Sequence, residues 1–151
     1  MGLDMYLSKR LFVGALFIEG SIDITKNGKK LPINLSKVTY IEESVMYWRK
    51  VSAIHRWFVE NVQNGKDDCG TYVFKPEKIK QLLQLVKRVL NNRELAPDLL
   101  PTMNGFFFGS QEYDDWCFED LAQTKEVLEL IVKDPATKEF DYEFIYQSSW
   151  T

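Results

Sequence analysis

The sequence is poor in the residues on which metal and thiol chemistry depend. It holds one histidine, His55, and two cysteines, Cys69 and Cys117. The cysteines form no C-x-x-C pair, which favours two reduced thiols over a disulfide. Structural zinc sites carry paired ligands at short spacing, so we expect no metal ion. A lone histidine also excludes catalytic sites that need several, such as His-rich two-metal phosphodiesterases.

Familiar phosphate-binding and nucleophile motifs are missing as well. The sequence has no G-x-x-x-x-G-K-[ST] loop, no G-x-G-x-x-G fingerprint and no G-x-S-x-G elbow. No apolar run approaches the ~20 residues that cross a bilayer. The start, MGLDMYLSKR, lacks the basic-then-apolar order of a secretory signal. We therefore expect a cytoplasmic protein with no membrane span and no cofactor, and the missing motifs disfavour catalytic residues of these familiar kinds.

Charge and composition narrow the class further. The formal net charge is −3, whereas proteins that bind duplex nucleic acid usually carry a basic excess, so that class is disfavoured. Hydrophobic residues make up 45% and charged residues 27%, which are values of a globular chain. A length of 151 residues is that of one ordinary domain, so residues 1–151 are expected to form a single domain.

The hydrophobic pattern predicts strands near both ends of the chain and a hairpin between them. The Asn27-Gly28 pair is a strong turn signal, and Pro32 places the following arm at a sheet edge. The expected strand segments, which are alternating, apolar or aromatic, are residues 3–7, 11–18, 21–24, 31–35, 105–110 and 140–150.

Three segments have the apolar spacing of helices. The first runs from about Glu42 to Asn64-Gly65, the second begins at Pro76-Glu77, and the third covers residues 113–132. In the third, the expected inward residues are Trp116, Leu121, Leu128 and Ile131. The expected fold is α+β, with three helices packed on a mixed or antiparallel sheet.

Two arginines of the first predicted helix suggest an anion clamp. Arg49 and Arg56 are seven residues apart, so a helix would carry both on one face. Small residues, Ser52 and Ala53, lie between them and leave room for a ligand. Two guanidinium groups at this spacing suit two phosphates. The alternative is a solvated helix face whose arginines pair with glutamates.

The neighbouring aromatic and acidic residues allow both structural and ligand-binding roles. Trp48 is expected in the core, whereas Trp57, beside Arg56, is the better stacking platform. His55 is expected as a hydrogen-bonded core histidine. Asp67 and Asp68 suit either a cation or base-edge contact or a capping and turn cluster.

Three stretches resemble a widespread family of small phage and prophage proteins: MGLDMYL, YWRKVSAIHRWFVENVQNGKDDCG and LLPTMNGFFFGSQEYDDW. We identify this family with the phage anti-CBASS sponges, which bind cyclic-nucleotide immune signals in oligomeric assemblies and sequester them without cleavage. The resemblance implies a non-enzymatic binder of a cyclic dinucleotide, such as 3′,3′-cyclic GMP-AMP, that acts in the host cytoplasm.

The resemblance, joined to side-chain chemistry, also implies a ligand set. The expected ligand-binding residues are Arg49, Arg56, Trp57 and Asn61, surrounded by Asp67, Asp68, Phe107 and Tyr113. Nanomolar affinity corresponds to about −12 kcal/mol, which a site enclosed between subunits supplies more readily than one shallow face, so we expect a homo-oligomer, a tetramer by preference. Two alternatives stay open: a nucleotide-degrading phosphodiesterase that uses Asp67, Asp68 and His55, and a protein-interaction module that inhibits a host factor.

Overall fold

The computed structural model describes residues 2–14, 24–105 and 107–151, which form six strands and five α-helices. The strands are β1 (Leu3–Phe12), β2 (Thr25–Lys26), β3 (Lys29–Lys30), β4 (Tyr40–Arg49), β5 (Thr71–Phe74) and β6 (Glu143–Trp150). The helices are α1 (Ser52–Asn61), α2 (Pro76–Asn91), α3 (Ala96–Leu99), α4 (Asp115–Lys133) and α5 (Pro135–Glu139). Short 3-10 turns occupy Leu35–Lys37 and Arg93–Leu95.

Four strands form one antiparallel sheet in the order β4-β1-β6-β5. Met5, in the central strand, lies opposite Trp48 of β4 and Ser148 of β6. The register between β1 and β4 shifts between Leu7 and Ser8, which marks a bulge in the edge strand. With helices packed on this antiparallel sheet, the predicted α+β class is confirmed.

The two faces of the sheet differ in what covers them. One face, which we call the covered face, carries the fully buried side chains of Leu3, Met5, Leu7, Phe144 and Tyr146. Buried apolar residues of α1, α2 and α4 join these side chains in one core. The opposite face, which we call the open face, carries Asp4, Tyr6, Tyr47, Val73 and Gln147. Among the described residues, none of these five belongs to that core.

The largest departure from the predicted elements lies at residues 42–51. This segment was expected to begin a helix, but residues 40–49 form β4, and α1 begins at Ser52. Tyr47 and Trp48 point to opposite faces, as neighbours in a strand do, and Trp48 is buried as predicted. Lys50, with φ of 57°, separates strand from helix. The spacing of the apolar residues in this segment fits both a helix and a strand. The segment forms a strand because it pairs with β1.

The hairpin turn at Asn27-Gly28 is confirmed, because φ is 54° and 76° at these residues and β2 pairs with β3. The arms are shorter than predicted. Residues 31–35 form no strand, because Asn34 instead caps a 3-10 turn by accepting a hydrogen bond from the Ser36 amide. Of the predicted segments 11–18 and 21–24, residues 11 and 12 end β1, and residues 15–23 lie outside the described part.

Residues 105–110 were predicted as a buried strand, but the described residues of this segment form no strand. Among residues 105 and 107–110 there is a turn instead, in which the Phe108 amide donates to the Gly105 carbonyl at 3.2 Å. Gly109 has φ of 81°, and a Cβ at this residue would lie 2.9 Å from Cβ of Lys50. Glycine therefore lets this turn approach the junction between β4 and α1. Phe106 lies outside the described residues.

The other helices follow the local signals. α2 begins at Pro76, and α4 ends at Lys133 before Asp134-Pro135, as predicted. Asp114 caps α4 by accepting a hydrogen bond from the Cys117 amide at 3.0 Å. Trp116 was expected to point inward but is 76% exposed, which corrects that prediction. Within the described residues, no helix is both long enough and apolar enough to cross a membrane.

Candidate ligand-binding cleft

Arg56 is held between its own helix and the segment that follows α3. Its Nε donates to Oε1 of Glu60, one turn later, at 2.8 Å. Its Nη1 donates to the carbonyl oxygen of Thr102, also at 2.8 Å. About two-fifths of the side chain stays exposed, at 39%. The guanidinium is therefore fixed in position while part of it faces solvent.

Two cavities lie beside Arg56, and both are lined by Arg56 and Glu60. The larger has a volume of about 630 Å³ and extends past Thr102 and Asn104. The smaller, of about 200 Å³, extends past Asn61. Small-molecule sites occupy about 300–1,000 Å³, and the larger cavity falls in that range. We call the two cavities together the Arg56 cleft.

Of the predicted ligand residues, Trp57 and Asn61 also line the Arg56 cleft. Trp57 is only 6% exposed and meets Phe58 edge to face at 5.1 Å, so most of its indole is packed in the core. Asn61 Nδ2 donates to the Trp57 carbonyl at 2.9 Å, within α1. One of the two amide N–H groups of Asn61 is therefore used within the helix.

Tyr113 supports the wall of the cleft. Its hydroxyl donates to the carbonyl oxygen of Leu100 at 2.8 Å, which ties the start of α4 to the segment after α3. Partial burial raises the pKa of this phenol above its ordinary value. Tyr113 thus positions the Leu100 to Thr102 segment, whose carbonyl in turn holds Arg56.

Arg49 lies elsewhere, and the predicted two-arginine clamp on one helix face is wrong. Arg49 ends β4 on the open face, and its Nη1 donates to Oδ1 of Asp4 at 2.8 Å. The same Asp4 oxygen accepts the hydroxyl of Tyr47. The hydrogen bond from Tyr47, which has the larger effect, and the one from Arg49 hold the pKa of Asp4 below its usual value. Arg56 is on a helix over the covered face, so the two arginines serve different surfaces.

His55 is at the centre of a buried hydrogen-bond network. Its ring is fully buried, with Nε2 3.0 Å from Oδ1 of Asp67 and Nδ1 2.7 Å from the Tyr146 hydroxyl. Because an ionised carboxylate only accepts, Nε2 donates to Asp67 and Nδ1 accepts from Tyr146. Burial lowers the pKa of His55, although the Asp67 charge opposes it. The prediction of a hydrogen-bonded core histidine is confirmed.

Asp67 and Phe107 belong to this network rather than to the Arg56 cleft. Asp67 also accepts the indole N–H of Trp150 at 3.1 Å, and Phe107 stacks on the same indole at 5.8 Å. The sequence did not indicate Tyr146 and Trp150 as partners, because they are more than 80 residues from His55 and Asp67 along the chain. An alternating strand that ends in tryptophan was the available signal, but it did not indicate which loop the strand would meet.

Asp68 has a local role. Its carboxylate accepts the Tyr72 hydroxyl at 2.8 Å and the Gly70 amide at 3.0 Å. The hydrogen bond from Tyr72, followed by that from Gly70, keeps the pKa of Asp68 below its ordinary value. Of the two roles left open for this residue, the structure shows the turn cluster.

Both cysteines are free and half-buried, and burial raises the pKa of the Cys117 thiol to about 11. Within residues 2–14, 24–105 and 107–151, no three His, Cys, Asp or Glu side chains are grouped to hold a metal ion.

No protein-family profile, curated protein or solved structure matches the chain.

Proposed function

We propose that this protein is a phage anti-defence protein that binds a cyclic dinucleotide, such as 3′,3′-cyclic GMP-AMP, and sequesters it without cleaving it. The observation that carries the proposal is that Arg56 lines two cavities at once. A cyclic dinucleotide places two phosphates between two bases. A guanidinium between two cavities can therefore bind a phosphate while the bases occupy the space on either side.

The donors and acceptors around Arg56 suit such a ligand. Its Nε and Nη1 are bound by protein oxygens, and the exposed part of the group is left for an anion. Charge-assisted bonds from guanidinium to phosphate are among the stronger hydrogen bonds in proteins. Asn104 and Gln111 line the larger cavity, and Gln111 Nε2 donates to Asn104 Oδ1. This bond leaves the Asn104 amide N–H groups as donors and the Gln111 carbonyl oxygen as an acceptor for base edges.

Binding without cleavage is favoured over the phosphodiesterase alternative by the state of His55. A general base must come within hydrogen-bond reach of the group that it deprotonates. His55 has no exposed surface, and both ring nitrogens are bound inside the protein. Asp67 and Asp68 are held by separate partners rather than directed at one bond.

The proposal retains the homo-oligomer expected from the sequence. The Arg56 cleft is open to solvent, so a ligand in it is enclosed only when another surface covers it. Nanomolar sequestration, at about −12 kcal/mol, is reached more readily when a second subunit supplies that cover. A tetramer acting in the host cytoplasm fits this requirement.

A thermal-shift and calorimetric titration with 3′,3′-cyclic GMP-AMP tests the proposal. Ligand at 100 times its dissociation constant should stabilise the fold by about 2.7 kcal/mol. Heat denaturation of the complex should then release the ligand intact. Linear or hydrolysed product would instead support the phosphodiesterase. If no cyclic mono-, di- or trinucleotide stabilises the protein, the protein-interaction alternative is favoured.

Substitutions in the cleft locate the site. Arg56→Ala should weaken binding about 10- to 150-fold, the effect of losing a charged hydrogen bond worth about 1.5–3 kcal/mol. Glu60→Gln should strengthen binding, because it removes the carboxylate that competes with the phosphate. Arg88→Ala, at an exposed arginine of α2, is the matched control and should bind as the wild type does. Equal affinity in Arg56→Ala and the control would contradict the site.

A further inference from the structure

The middle of the open face is uncharged and aromatic. Tyr6, Tyr47 and Val73 are 46%, 51% and 43% exposed, and they lie on three of the four strands. The rings of Tyr6 and Tyr47 are 5.4 Å apart between centroids. Ile145, on β6 between β1 and β5, is almost buried within the same surface. Tyr6 lies opposite Gln147, and Ile145, two residues before Gln147, lies opposite Val73, so the apolar residues run diagonally across the sheet. An exposed apolar stripe that spans a sheet is typical of an interaction surface, unlike scattered exposed residues.

Charged residues border this patch at both ends, and the two ends differ. At one end, Arg49 pairs with Asp4. At the other end, Arg10 bonds Glu143 at 3.3 Å and lies opposite Glu42 in the register. The second end therefore has an excess of carboxylate, whereas the first end is balanced. A two-fold axis that lies between two such faces and runs perpendicular to the strands places Arg49 of each copy near the acidic end of the other.

The area of the open face is sufficient for a weak to moderate interface. The four strands contain 10, 10, 4 and 8 residues. At ~3.4 Å per residue and ~4.8 Å between strands, each face measures about 520 Å². Two faces together reach about 1,000 Å², the lower bound for a specific protein interface.

We propose that the open face is the contact between two copies of this chain, packed sheet on sheet around a two-fold axis. The uncharged centre of each copy then buries the same centre of the other, as an isologous interface requires. Aligned sheets pack about 10 Å apart, a distance that tyrosine and valine side chains fill. The Arg56 cleft lies over the covered face, so it remains outside this contact and free for ligand or for a further subunit.

Mass measurement by light scattering across a range of concentrations tests this contact in the full chain. The wild type should have at least twice the monomer mass of 17.7 kDa. Tyr6→Asp and Val73→Asp place a charge in the centre of the contact, and each should weaken self-association about 30-fold, as loss of a central interface residue does. Both residues are exposed in the monomer, so far-UV circular dichroism and the melting curve should stay those of a folded chain.

A matched control separates this surface from exposed apolar residues in general. Leu130, on α4, is 72% exposed, and Leu130→Asp should leave self-association unchanged. A wild type that is monomeric at every concentration overturns the proposal, and so do open-face variants that associate as tightly as Leu130→Asp. Arg56→Ala should keep the wild-type mass, and Tyr6→Asp should still contact cyclic dinucleotide through its cleft. Failure of the interface and failure of the ligand site are thereby distinguished.

Discussion

The two faces of the sheet carry the same kinds of side chain, but these side chains are buried on one face and exposed on the other. On the covered face, Tyr146 is fully buried, and its hydroxyl is hydrogen-bonded to His55. On the open face, Tyr6 and Tyr47 belong to strands paired in the same sheet, yet about half of each side chain is exposed. A tyrosine in these strands is therefore a core residue or a surface residue according to its parity along the strand, because successive side chains alternate between faces.

Polar groups follow the same division. Trp48 donates its indole N–H to Thr124 at 2.8 Å inside the core, where an unpaired donor would be costly. Asp4, Tyr47 and Arg49 form a comparable cluster on the open face, where water can replace any partner that is lost. A hydrogen bond on the covered face should therefore contribute more to the free energy of unfolding than a similar hydrogen bond on the open face.

The largest expected effect comes from removing an aromatic ring beneath the covered face. Phe58 is fully buried and stacks on Tyr146 with 3.9 Å between ring centroids. Phe58→Ala should lower the free energy of unfolding by about 3–5 kcal/mol, the usual cost of such a cavity. Val73→Ala on the open face is the control and should cost at most about 0.5 kcal/mol in dilute protein. Urea denaturation measures both, and equal losses would erase the distinction between the faces.

An intermediate effect is expected from removing one hydrogen bond on each face. Thr124→Val leaves the buried indole N–H of Trp48 without its acceptor, which should cost about 1–3 kcal/mol. Tyr47→Phe removes the hydroxyl that donates to Asp4, and in dilute protein this exposed change should cost at most about 0.5 kcal/mol. The two denaturation midpoints compare the faces directly. A larger loss in Tyr47→Phe than in Thr124→Val, measured in dilute protein where the chain is a monomer, would contradict this difference between the faces.

The smallest expected effect is on the pH dependence of the free energy of unfolding, and His55 and Asp4 act in different pH ranges. Burial holds the pKa of His55 below its ordinary 6.5, so the unfolded chain binds this proton more readily, and the free energy of unfolding should fall as pH drops below 6.5. The pKa of Asp4 is lowered from 3.8, so its contribution is lost only at more acidic pH. His55→Gln should flatten the stability curve in the upper range and Asp4→Asn in the lower range. Midpoints of urea denaturation across pH check both, and a curve unchanged below pH 6.5 in His55→Gln would argue against a buried neutral histidine.

The candidate site was predictable in part. Arg56 was selected from its position near tryptophan and small residues, and it does line a cleft. The contacts that fix it come from Glu60, which is local, and from the Thr102 carbonyl, 46 residues away. A backbone carbonyl carries no sequence signal, so the loop side of the cleft was not predictable. The network of Asp67 with Trp150 was not predictable for a different reason, since it joins two side chains that are 83 residues apart in the chain.

Local chemistry by itself determined the elements that need no distant partner. The Asn27-Gly28 turn, the start of α2 at Pro76 and the end of α4 before Asp134-Pro135 each depend on backbone preferences of the residues concerned. Tertiary structure alone decided residues 42–51. Their apolar side chains fit a helical stripe as well as a strand, and only hydrogen bonding to β1, together with burial of Trp48 beneath α4, makes the strand more stable. That choice moved Arg49 to the opposite side of the sheet from Arg56, because a strand alternates its side chains where a helix would have aligned them.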